Sequence, residues 1–180
     1  MMQLHIKKMT ENNARHILAW KYEKPYDFYN TKLTHESLKE MLDGSYYALL
    51  NAQNDVVGFF CIGENAQVPI GHQFGVYVDN FVDMGLGMHQ SLIGKGNGTS
   101  FCTHIIQFIE KQYVGKSIRL TVANFNKRAI HLYEKFGFVK VAEFTSNTTE
   151  FITMIKKQKI EIFLKLIQLQ NGLILNRWTN

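Results

Sequence analysis

Apolar and polar residues alternate from Leu4 to Lys8 as in a half-buried strand, and Thr10-Glu11-Asn12-Asn13 then supplies helix-start chemistry ahead of Ala14 to Trp20. Thr34 and Ser37 fit the N-cap and N3 positions of a second helix that runs through Leu42 and ends at Gly44. Tyr46 to Leu50 and Val56 to Ile62 are β runs joined by the polar stretch from Asn51 to Asp55, which predicts a hairpin. Phe81 to Met88 reads as a fourth strand. Phe101, Cys102, Ile105, Phe108, Ile109 and Gln112 then recur at helical spacing, with Thr103, Gln107 and Glu110 facing away. A fifth strand is expected at Ser117 to Val122 and a helix at Asn126 to Phe136, with Asn126 as N-cap and Gly137 just past its end. Val139 to Phe144 and Thr149 to Ile155 close the pattern as a pair. Residues 1–158 thus form one domain, and 159–180 a C-terminal extension that is helical by the spacing of Ile160, Phe163, Leu164 and Ile167. That extension packs on the domain or on a second copy in a homodimer, or consists of foreign residues.

Between the fourth strand and the following helix lies Ile93-Gly94-Lys95-Gly96-Asn97-Gly98-Thr99. Glycine lets a backbone approach an anion with no Cβ in the way, and the first turn of a helix leaves N–H groups unpaired. Such a loop suits a phosphate or diphosphate. A P-loop would need Lys and then Ser or Thr directly after the last glycine, whereas Gly98 is followed by Thr99 and Ser100. A dinucleotide fingerprint would need glycine at position 99 and an acidic residue about twenty positions on, and Ser117 to Val122 carries none.

A second motif follows downstream, with Asn126, Ala129, Tyr133, Gly137 and Phe138 in the frame Asn-x-x-Ala-x-x-x-Tyr-x-x-x-Gly-Phe. Together with Gly96 and Gly98 it resembles the signature of the GNAT superfamily of N-acetyltransferases, over roughly Met1 to Lys157. Ile93 stands where that family usually has Gln or Arg, which leaves diphosphate binding to the main chain. The resemblance implies a single α/β domain with a mixed, mostly antiparallel central sheet, helices on both faces, and splayed fourth and fifth strands. It implies acetyl-CoA as donor, held by Ile93, Gly94, Lys95, Gly96, Asn97, Gly98 and Thr99 at the diphosphate, and by Met88, Asn124, Asn126 and Ala129 along the pantetheine arm. Asn126 and Tyr133 share one helix face about 10 Å apart along the axis. By the same resemblance Tyr133 protonates the departing sulfur.

Acetyl transfer to an amine also needs a neutral amine close to the thioester. Asp83 opens Asp83-Met84-Gly85-Leu86-Gly87-Met88, which is similar to the strand of GNAT enzymes acting on ribosomal-protein N-termini, and it is the candidate base. A structural hydrogen bond is the competing role for Asp83; His72 and His89 stand as further candidates, with an exposed loop histidine as the competing role for His89. The aromatic segment containing Tyr22, Tyr26 and Tyr29 and the long loop from Gly63 to Asn80 are expected to wall the acceptor site. The acceptor is a small-molecule amine or a peptide N-terminus. A catalytically silent acyl-CoA-binding module is the alternative.

At 180 residues and 46% hydrophobic content the chain supports one folded core. Its net charge of +5 is scattered rather than gathered on one element, which disfavours a nucleic-acid partner. No apolar run reaches the length of a membrane span, so a soluble, cytoplasmic protein is the expectation. Cys61 and Cys102 have no metal-like or redox spacing and read as buried free thiols; no metal is implied.

Overall fold

The computed structural model describes residues 3–158. The C-terminal extension at 159–180 lies outside the described residues. Seven strands form one sheet in the order β1-β2-β3-β4-β5-β7-β6. These are β1 His5–Lys8, β2 Tyr46–Leu50, β3 Val56–Ile62, β4 Val82–Met88, β5 Ile118–Ala123, β6 Val139–Ser146 and β7 Thr149–Lys156. All neighbours pair antiparallel except β4 and β5. That parallel pair has only two rungs, Val82 opposite Ile118 and Asp83 opposite Arg119, after which the strands part. The splay expected between the fourth and fifth strands is therefore present.

Helices α1 (Glu11–Leu18) and α2 (His35–Met41) cover one face, and α3 (Gly98–Gln112) and α4 (Lys127–Lys135) the other. The alternation of each strand explains this sorting, since odd and even residues point to opposite faces. On β4, Val82 and Met84 join the core under α3, together with Phe101, Ile105 and Ile109 from the buried stripe of that helix. Each such side chain contributes about 1.5–3 kcal/mol on burial. Phe101 seats in a notch on β3, because a Cβ at Gly58 would fall 2.2 Å from its ring. This fixes the start of α3 beside the gap between β4 and β5.

Local signals place the helix ends as expected. Thr34 and Ser37 form a reciprocal capping box at α2. The Oδ1 of Asn126 accepts the Ala129 N–H at 3.3 Å, and Gly137 has φ +83 just past α4. The segment from Gly63 to Asn80 differs from expectation. It forms two short 3-10 turns, Gly63–Ala66 and Pro69–Phe74, and packs Val68, Ile70 and Val76 over Phe144 and Phe151. It covers the sheet where α1 and α2 leave it bare, and among the described residues none of it lines the cleft discussed next. Cys61 and Cys102 are buried free thiols, and burial pushes both up to about 12.

Candidate active site

A cavity of about 580 Å³ runs through the gap between β4 and β5, within the size range of small-molecule sites. The glycine loop, the start of α3 and one side of α4 line one part of it and α1 and α2 another, and the segment between α1 and α2 reaches across to α4. Ile93, Gly94, Gly96, Gly98 and Thr99 all line it, as do Met88, Ala129 and Tyr133. Gly94 and Gly96 adopt φ +77 and +79, and a Cβ on Gly96 would meet nothing within 4 Å, so this loop turns its main chain toward open space. No side chain caps the start of α3, because Asn97 turns back and donates its Nδ2 to the Leu92 carbonyl at 3.0 Å. Asn97 therefore braces the loop, and Lys95 is exposed outside the cavity lining.

Tyr133 is almost fully buried and lines the cleft, packed against Phe138 at 6.0 Å between ring centroids. Burial first, and then the neighbouring Cys102 and Tyr29, drive its hydroxyl well above the ordinary tyrosine value, so it stays protonated at neutral pH. Among the described residues no hydrogen bond occupies that hydroxyl. A core tyrosine would have a partner; this one keeps its donor available in the cavity.

Three expectations need correcting. Asp83 is 4% exposed and faces the covered side of the sheet. Arg119 donates Nε to its Oδ1 at 2.6 Å and Nη2 to its Oδ2 at 2.9 Å, and Gln67 adds a third bond to Oδ2 at 2.7 Å. With both oxygens engaged and only its neighbours Met84 to Met88 lining the cavity, its carboxylate is the pin of a buried ion pair rather than a base. Asn124 is likewise outside the cleft. Its side chain donates to Glu150 at 2.9 Å and accepts from Lys127 at 2.6 Å, beside a separate small cavity. The histidines are also engaged elsewhere, His72 against the ring of Tyr77 at 5.0 Å and His89 with Ser91 at 2.7 Å, and neither lines the cleft.

The aromatic segment does reach the site. Tyr22, Tyr26 and Tyr29 all line it, together with Trp20 and Phe59. Desolvation pushes the Tyr22 hydroxyl up to about 12 and raises that of Tyr29. The motifs did not point to Arg128, His131 and Lys135, which line the cavity from one side of α4. Their i, i+3, i+7 spacing was the available signal. A Cβ on Gly94 would lie 3.4 Å from the Arg128 guanidinium, which places that cation beside the glycine loop. At the other end Glu40 is the sole carboxylate lining the cleft among the described residues, and it accepts the Tyr46 hydroxyl at 2.6 Å.

A sheet parted over a glycine loop, with a buried tyrosine hydroxyl in the gap, is the architecture of an N-acetyltransferase. The chain belongs to the acetyltransferase (GNAT) family, whose profile matches residues 12–138. It is 30% identical over 142 residues to the spermine/spermidine N(1)-acetyltransferase of Bacillus subtilis (strain 168), covering 76% of this chain and 88% of that protein. Among solved structures it is similar to a chimera of the spermidine N-acetyltransferase SpeG from Vibrio cholerae and hSSAT, with TM-score 0.62, 20% identity and coverage of 89% and 98%. A putative acetyltransferase from Acinetobacter baylyi ADP1 superimposes with TM-score 0.66 at 14% identity, covering 88% of this chain and 94% of that one. The finer likeness to ribosomal-protein N-terminal acetyltransferases finds no support among these relatives. Among the described residues no helix is long and apolar enough to cross a membrane.

Proposed function

We propose that this protein moves an acetyl group from acetyl-CoA to a primary amine of a small polycation of the polyamine class, by direct attack in a ternary complex. The observation that carries the reading is the buried Tyr133 hydroxyl in the gap between β4 and β5, without a hydrogen-bond partner among the described residues. The charges along the cleft support it. The donor end presents Arg128 and Lys135 and suits an anionic diphosphate; the acceptor end presents Glu40 among aromatic rings and suits an ammonium-bearing chain. The relative from Bacillus subtilis is named for spermine and spermidine.

In this reading the main-chain amides from Gly94 to Thr99 hold the diphosphate with Arg128, and the Met88 carbonyl and the Asn126 side chain orient the pantetheine amides. When bound, the donor supplies an activated acyl carbonyl. Tyr133 holds its proton in readiness for the departing sulfur, and Glu40 draws in the acceptor's ammonium group. Free coenzyme A release over a panel of spermidine, spermine, amino acids, aminoglycosides and short peptides tests this, with polyamines expected to be fastest. No release with any amine, alongside measurable acetyl-CoA binding, would instead favour a silent acyl-CoA-binding module.

A further inference from the structure

Each tyrosine of the segment between α1 and α2 is docked on the donor half of the cleft. Tyr22 Oη donates to the Met88 carbonyl at 3.0 Å. The Nδ2 of Asn126 donates to Tyr29 Oη at 3.3 Å, and the Arg128 guanidinium lies 4.9 Å from the centroid of the Tyr26 ring. Met88, Asn126 and Arg128 are the groups assigned above to the donor. The acceptor wall thus rests on the atoms that the donor would use.

The direction of the Met88 carbonyl shows why the first contact forms. His89 donates its N–H to the Val57 carbonyl at 2.9 Å, so peptide groups at this end of β4 alternate between β3 and the gap, and the Met88 carbonyl points into the gap. Beyond Asp83 no β5 partner remains to satisfy it. An unmet buried carbonyl is costly, and the Tyr22 hydroxyl meets it. The segment is also braced, since Asn30 accepts the Tyr22 N–H at 2.7 Å and donates to the Tyr22 carbonyl at 3.0 Å. Asn30 itself does not line the cleft.

We propose that residues 20–30 form a latch that occupies the donor's hydrogen-bonding positions, and that acyl-CoA binds by displacing it. A pantetheine amide N–H takes the Met88 carbonyl from Tyr22, and the donor takes the Asn126 amide from Tyr29. The acceptor wall is thereby released at the moment the donor is seated. This rests on the acetyl-CoA reading above.

Calorimetric titration of coenzyme A into wild type, Tyr22→Phe, Tyr29→Phe and Asn30→Ala tests it. The two phenylalanine variants keep the ring and lose the latching hydroxyl, and each is expected to bind coenzyme A about three- to tenfold more tightly, the equivalent of one hydrogen bond no longer broken. Asn30→Ala leaves every cleft residue in place and is expected to move in the same direction. Wild type that binds while the Tyr22 and Asn30 variants bind no more tightly overturns the latch alone. Wild type that binds no coenzyme A overturns the donor reading and the latch with it.

Discussion

Asp83 and Arg119 face each other on the last rung that β4 and β5 share, and their side chains join through two hydrogen bonds of 2.6 and 2.9 Å where the strands begin to part. Arg119 is 2% exposed; it also donates to the Val76 carbonyl at 2.9 Å and lies 4.9 Å from the Tyr77 ring centroid. The pair therefore ties the 63–80 segment to the root of the split. Asp83→Asn should leave a buried guanidinium without its counter-charge and cost about 3–5 kcal/mol, read as a large drop in melting temperature. Because the carboxylate lies outside the cleft, kcat of the protein that stays folded at low temperature should change only a few-fold. A collapse of kcat with unchanged melting would return Asp83 to catalysis.

Tyr133→Phe should lower kcat by about a hundredfold, the usual scale for losing a proton donor, while coenzyme A affinity stays near the wild-type value. The raised pKa of Tyr133 also sets a sign. The hydroxyl remains protonated up to and beyond the ordinary value near 10, so kcat should climb with pH as the acceptor amine loses its proton. A descending limb well below pH 10 would be inconsistent with Tyr133 as the acid.

Arg128→Gln removes the cation beside Gly94 and should weaken coenzyme A binding by about tenfold, in line with one charge-assisted contact. The remaining affinity should depend less on salt than that of wild type. Equal salt slopes would show that Arg128 does not face the diphosphate.

Glu40→Gln keeps an oxygen to accept the Tyr46 hydroxyl and removes the charge. KM for a polyamine should rise by about tenfold with acetyl-CoA affinity unchanged. An unaltered KM would mean that the acceptor does not approach α2.

The hydroxyl of Tyr22 is raised from 10.0 to about 12 by burial. A group that binds its proton more tightly when folded contributes stability that is whole below the unfolded value and is lost as pH rises through the folded one. Melting temperature should therefore fall between about pH 10 and 12, and more shallowly in Tyr22→Phe. Identical slopes would place Tyr22 in water.

Local chemistry made much of this protein readable from its residues alone. Alternation located the strands, Thr34 with Ser37 and Asn126 with Gly137 set helix ends, and Gly94 to Gly98 marked a loop with an open main chain at the start of α3, because each of these depends on neighbours within a few residues. Which side chains meet across the fold depends on strand order and register, and no local pattern encodes those. Strand order set Asp83 against Arg119 and took it out of the cleft, and it left Asn124 with Glu150 and Lys127. The same packing brought Glu40 from α2 and Arg128 from α4 to opposite ends of one cavity, and laid Tyr22 on the Met88 carbonyl across 66 residues of chain. The division follows from range: propensity and capping act along the chain, whereas charge pairing and site geometry act through space.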